Sequence, residues 1–154
     1  MKKYLFAEII CIVLTLIFIV SSVSDSFVTD KTADELSVNL IELMGEDVKI
    51  RNNAFTTEKF DIDLSVFESF VYVSSDDVMN VSELFVGVYS DGTHSEVKDV
   101  FVSYAEDRYN LFNGYAPEQA AMLNDYILEE KSGAVIFCVS ENADAVFSLF
   151  SDNL

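Results

Sequence analysis

The side chains that could do chemistry are few and scattered. His94 is the only histidine in 154 residues. A histidine-rich metal site is therefore excluded, and any Ser-His or Cys-His pair must use this one ring. Ser95 is its neighbour in sequence, but adjacency along the chain does not make a catalytic pair, and no Gly-x-Ser-x-Gly elbow is present to raise a nucleophile. His94 reads as an exposed first-turn residue of a helix. Cys138 falls in the apolar run Ala134 to Val139, where a buried, inert thiol is expected. Cys11, the other cysteine, lies inside a hydrophobic N-terminal run, so no disulfide can form within the folded domain.

Carboxylates are the abundant alternative. Asp61 with Asp63, or Asp76 with Asp77, could offer calcium hard oxygen ligands. The spacing is not diagnostic, because an EF-hand loop also needs alternating acids, a glycine and a distal glutamate, and no window supplies them. These acids read as solvated loop residues. Glycosidase-type work needs two carboxylates at a set separation, which sequence does not give. The five glycines are scattered singly, so no loop cradles a phosphate. No catalytic, cofactor-binding or metal-ligating residue is assigned, and no cofactor is expected. Among the 13 phenylalanines and 7 tyrosines, Phe67, Phe70, Phe85, Phe101, Phe137 and Phe147 sit at core periodicities. Tyr104, Tyr109 and Tyr115, with Tyr126 beside them, are the candidate interaction surface, since tyrosine joins an apolar body to a polar tip. Tyr115, just before Pro117, also suits a packing anchor for that turn.

The elements that must position these groups follow from periodicity and caps. Thr32 and Glu35 have capping-box spacing, and Ala33, Leu36, Leu40, Leu43 and Met44 recur with helical period before Gly45, which predicts a helix from Ala33 to Met44. Val48 and Ile50 hint at a short strand. Thr57 to Asp63 reads as a turn or loop. Phe67 to Ser74 and Ser82 to Tyr89 are strands, the second with Leu84, Val86 and Val88 on one face. Thr93 and Glu96 form a second capping box. A long helix follows, with Val97, Val100, Phe101, Tyr104, Ala105, Arg108 and Phe112 on one face and a stop near Gly114. Pro117 opens a short helix with Ala120, Ala121 and Leu123 inward. Tyr126 to Glu130 and Ala134 to Val139 are strands joined by the turn Lys131-Ser132-Gly133, the second buried on both faces. Asn142 caps a last helix carrying Ala143, Val146, Phe147 and Phe150.

Two hairpins, each followed by a helix, predict an α+β fold: a two-layer sandwich with an antiparallel sheet of four or five strands and helices on one face. No sequence repeat is present, though the second hairpin-helix unit echoes the first. Residues 32–154 form one domain, preceded by a linker at 25–31 and a hydrophobic segment at 1–24. Lys2 and Lys3 precede the apolar run Tyr4 to Val20, and Asp25 and Asp30 follow it, so the positive-inside rule puts the domain outside the cytoplasm. Ser22 and Ser24 could serve a signal peptidase, while the run is nearly long enough to span, and a signal anchor is the preferred reading. A lipoprotein is excluded because Cys11 lies within the run, not after it.

The formal charge of -18, from 9 basic and 27 acidic residues, repels phosphate backbones and excludes nucleic acid as a partner. From Val66 to Leu154 the sequence resembles the bacterial family known as domain of unknown function 4358. The resemblance rests on Ser82-Glu83-Leu84-Phe85-Val86, on Phe112-Asn113-Gly114-Tyr115-Ala116-Pro117, and on Val135-Ile136-Phe137-Cys138-Val139. Similar proteins have a more basic long helix and a Gly-Asn-Tyr turn where this chain has Ser132-Gly133-Ala134. The resemblance implies an exported, membrane-tethered domain with no established activity and supplies no catalytic residue. The expected function is a non-enzymatic binding module whose partner is an envelope protein or another envelope component. A small carboxylate-using or cation-dependent hydrolase and a structural accessory subunit are the alternatives.

Overall fold

Thr32 starts the first helix as its spacing requires. Its hydroxyl accepts from the backbone N–H of Glu35, and the Glu35 carboxylate accepts from the N–H of Thr32. Two of the donors that a helix start leaves unpaired are thereby satisfied. This helix, α1, spans Ala33–Met44 and ends at Gly45 with φ +91°. The computed structural model describes residues 28–45, 47–90 and 97–154. The segment 1–24, the Thr93 and Glu96 capping box, His94 and Ser95 lie outside the described residues. No helix among those described is long and apolar enough to cross a membrane.

After α1 come β1 (Val48–Ile50), α2 (Asn53–Phe60), a 3-10 turn at Leu64–Val66, β2 (Phe67–Ser75) and β3 (Glu83–Tyr89). Then follow α3 (Val97–Phe112), α4 (Pro117–Asn124), β4 (Ile127–Lys131), β5 (Ala134–Val139) and α5 (Ala143–Asn153). The strands form one antiparallel sheet in the order β1-β2-β3-β5-β4. The chain is thus an α+β domain with a five-stranded antiparallel sheet.

Helices cover both faces of that sheet, and this corrects the expected one-sided sandwich. Side chains alternate along a strand, and every residue of β3 and β5 is buried. Phe85, Val135, Phe137 and Val139 pack with Phe60 of α2, Phe101 and Phe112 of α3, and Leu123 of α4. On the opposite face, Leu84, Val86, Ile136 and Cys138 pack with Leu36 and Leu40 of α1 and with Val146 and Phe150 of α5. The reading of Ala134 to Val139 as buried on both faces already required this second layer.

Three further expectations shift. The stretch expected as a turn or loop from Thr57 to Asp63 contains the second half of α2, which Asn52 caps by accepting from the Phe55 N–H. Only Thr56 and Phe60 of that helix are buried, too few to give a periodic signal. Ala121 is exposed, because it is turned about 100° from Ala120, which with Leu123 faces the core. Asn142 occupies the N-cap of α5, but its side-chain amide donates instead to the Leu43 carbonyl, tying the end of α1 to the start of α5.

The turn between β4 and β5 places both Ser132 (φ +52°) and Gly133 (φ +76°) in the left-handed region, the two-residue geometry that matches strand twist. Gly87 on β3 serves a different need. A methyl group there would lie 2.6 Å from Cε1 of Phe67 and 2.9 Å from Cε1 of Phe85, so the missing side chain is the space those rings occupy. Gly87→Ala is expected to cost about 1–3 kcal/mol through overpacking, read as a lower urea midpoint. An unchanged midpoint would show that the rings can move aside.

Candidate functional site

Alternation along β3 puts Glu83 on the same face as Phe85, inside the aromatic layer. Its cross-strand partner is Ser74, so the diagonal neighbour on that face of β2 is Tyr72. The Tyr72 hydroxyl donates to Oε2 of Glu83 at 2.7 Å. From across the layer, Tyr104 of α3 donates to the same oxygen at 2.9 Å. Arg108, one turn further along α3, donates from Nη1 to the Tyr104 hydroxyl at 2.9 Å. A relay therefore runs from guanidinium to phenol to carboxylate, with a second phenol on the carboxylate.

Glu83 is 1% exposed, and its other oxygen, Oε1, has no hydrogen-bond partner. An unpaired buried acceptor of this kind is costly. Burial holds the Glu83 carboxyl above its ordinary range, against the opposing pull of Arg108, the Tyr72 hydroxyl and Lys59. Burial likewise raises both phenols, with the Glu83 charge adding to it. At Arg108 burial works against the charge, but Glu83 and Tyr104 outweigh it and the pKa stays raised.

Lys59 of α2 completes the cluster. Its Nζ lies 5.4 Å from the centre of the Tyr104 ring, and the Arg108 guanidinium lies 5.7 Å from the same centre. Burial, and then repulsion from Arg108, lower the Lys59 pKa. Among the described residues the Lys59 ammonium forms no hydrogen bond or ion pair.

These groups sit in a cleft of about 870 Å³ bounded by α2, the β2–β3 hairpin and the end of α3. Both arginines of the chain line it. Arg51 has four of its five N–H donors engaged. Its Nε donates to Ser74 Oγ at 2.8 Å, its Nη2 to the Ser74 and Ser75 carbonyls at 2.9 and 2.7 Å, and its Nη1 pairs with Asp76 at 2.8 Å. Asp76 also accepts from Lys49, and these two hydrogen bonds hold its carboxyl below the usual range. The rim is apolar. Of the eight large apolar side chains exposed among the described residues, Phe55, Val78, Met79, Leu111 and Tyr115 border this cleft.

The sequence-derived candidates are dispersed by comparison. Tyr104 is at the floor of the cleft and Tyr115 at its rim. Tyr109 lies apart in a smaller hollow with Tyr126. Asp61 ends α2 in a left-handed conformation, and Asp63 caps the 3-10 turn through Ser65, whose hydrogen bonds lower its pKa. Asp76 is ion-paired and Asp77 accepts from the Met79 N–H. Among the described residues no three acids, cysteines or histidines gather as a metal site would require. Cys138 is buried with its thiol pushed up to about 12, by burial first and by Glu83 second. Glu83 was visible only as part of a packing signature, and Arg108 only as a basic residue on the apolar face of a helix. That second feature was the available signal.

A raised carboxyl pKa gives stability that is fully present below the unfolded value and lost as pH rises through the folded one. Glu83→Gln lacks this titration. The stability of the Gln variant minus that of the wild type should therefore become more positive as pH climbs from about 4 toward neutral. Paired urea titrations across that span would show it. A difference that does not vary with pH would mean that Glu83 is not held protonated by its surroundings.

A family model described as a domain of unknown function, DUF4358, matches residues 25–140. That span includes the whole cleft and stops short of α5. No curated protein and no solved structure matches the chain.

Proposed function

The chain belongs to the DUF4358 family, and from that premise we propose that it is an extracytoplasmic binding module, tethered through residues 1–24, that holds an envelope component in the cleft above Glu83. The observation that carries this reading is the cleft's composition. A relay of buried polar groups with one unsatisfied oxygen and one unpaired ammonium forms the floor, and exposed apolar side chains form the rim. Ligand sites have this make-up: mostly apolar walls with a few converging polar groups.

Binding is favoured over catalysis by the placement of Glu83. A general acid must come within hydrogen-bond reach of the substrate. Both oxygens of Glu83 are covered, and Tyr72 and Tyr104 hold one of them. Glu83 therefore sets the charge and position of its neighbours. The tether rests on Lys2 and Lys3 ahead of the run Tyr4 to Val20 and on the acids that follow it.

Two measurements test the parts separately. In protoplasts of cells making the full chain, added protease should digest the domain, while a domain protected until lysis would refute the address. A photo-crosslinking residue at Leu111, on the rim, should capture a discrete envelope component. The same residue at Val38, exposed on the opposite helical layer, should not. Equal capture at both positions would remove the cleft from the interaction.

A further inference from the structure

We propose that the cleft takes a small organic anion, its carboxylate or phosphate ester seated by Lys59 and Arg108 and its apolar body lying along Phe55, Leu111 and Tyr115. The inference rests on the reading of this cleft as a binding site and specifies the chemistry of its occupant.

The charge arrangement supports it. The chain carries -18 overall, yet Lys59 and Arg108 line one cleft and each lies against the Tyr104 ring, 5.4 and 5.7 Å from its centre. Four carboxylates line the same cleft: Glu58, Asp76, Asp77 and Glu83. Asp76 is occupied by Lys49 and Arg51. Glu58 and Asp77 are exposed at the rim. Only Glu83 faces the two deep cations, and it reaches Arg108 through the Tyr104 hydroxyl. One carboxylate that burial disfavours in its charged form thus stands against two cations, and it outweighs burial at Arg108 but not at Lys59, whose pKa stays lowered. An anion between them would supply the missing charge, and charge-assisted hydrogen bonds are the stronger kind.

Hydrogen-bond capacity agrees with charge. Arg51 spends four of its five donors on serine oxygens, the Ser75 carbonyl included, and on Asp76, which leaves it one for a ligand. Arg108 donates one hydrogen bond, to Tyr104, of the five that a guanidinium can make. The ammonium of Lys59 makes none among the described residues. Unspent donors therefore concentrate at one end of the cleft. The exposed rings and aliphatic chains lie at its rim, and Leu111 and Tyr115 are 63% and 55% exposed. A ligand with an anionic head and an apolar body matches both ends.

The test uses the full chain in detergent micelles and titration calorimetry with four probes: phenyl phosphate, phenylacetate, inorganic phosphate and phenethylamine. Both aryl anions should bind, the better of them identifying the head group. Inorganic phosphate should bind more weakly for want of a body, and phenethylamine should not bind. Added salt should weaken the aryl anions. Lys59→Gln should weaken them roughly tenfold, the loss of one charged contact. Arg108→Gln should do the same, and if that variant does not fold, Lys59→Gln decides the matter alone. Equal binding by Lys59→Gln and wild type, or binding of phenethylamine as tight as that of phenylacetate, would overturn the proposal. If no aryl anion binds while Leu111 still crosslinks selectively, the anion chemistry falls and the binding-module reading stands. If the aryl anions bind through Lys59 while Leu111 captures nothing, the anion site stands and the envelope component as occupant falls.

Discussion

The constraint on which the rest of this domain depends is the double burial of β3. A strand that is central in its sheet and covered on both faces must offer interior-compatible side chains at every position, with no solvent side to receive a charge. Six of its positions meet that demand with apolar residues or glycine. The seventh, Glu83, does not. Its carboxyl group must be met from the covering layers, and so Tyr72, Tyr104, Arg108 and Lys59 converge there. The cluster at the cleft floor is the physical consequence of ending a fully buried strand with a carboxylate.

The same constraint explains the division of the aromatic residues. One face of the sheet is filled by rings: Phe60 meets Tyr72, Phe101 and Tyr104 edge-on at 4.8–4.9 Å, and Phe101 stacks on Phe137 at 4.8 Å. The other face is almost wholly aliphatic. The two hairpin-helix units echo each other in outline, but α3 returns over the aromatic face and α5 over the aliphatic one. Polar groups gather on the side where hydroxyl-bearing rings can carry them into the interior.

Much of the fold could be read where local chemistry and long-range packing agree. Thr32 with Glu35, the run Ala134 to Val139, and the turn at Ser132-Gly133 each act through neighbours close in sequence. The cluster above Glu83 could not be read this way. Tyr72, Glu83 and Tyr104 meet only through strand register and the return of α3, which leave no spacing signature. Lys59 stayed hidden for a second reason. Helix α2 is short and buries two side chains, so its existence depends on Phe60 entering the ring cluster more than on its own pattern. Tyr104 carries a hydroxyl suited to a surface, but that hydroxyl turns inward and donates to Oε2 of Glu83. Packing the helices on one face underestimated how many apolar residues the strands carry.

The entry point of the chain gives the domain a polarity. The Thr29 N–H donates to the Ser132 carbonyl at 2.7 Å, and Val28 lies against Gly133, so the path into the fold passes the β4–β5 turn. That turn adjoins the Tyr89 end of β3, where the Tyr89 N–H donates to the Gly133 carbonyl. Glu83 is at the other end, about 20 Å away for a strand of this length. A tether ahead of Val28 would hold one pole, and a ligand in the cleft would arrive at the other. A surface tether and a cleft ligand would then stand at opposite ends of β3, so the cleft would open away from whatever surface carries the domain.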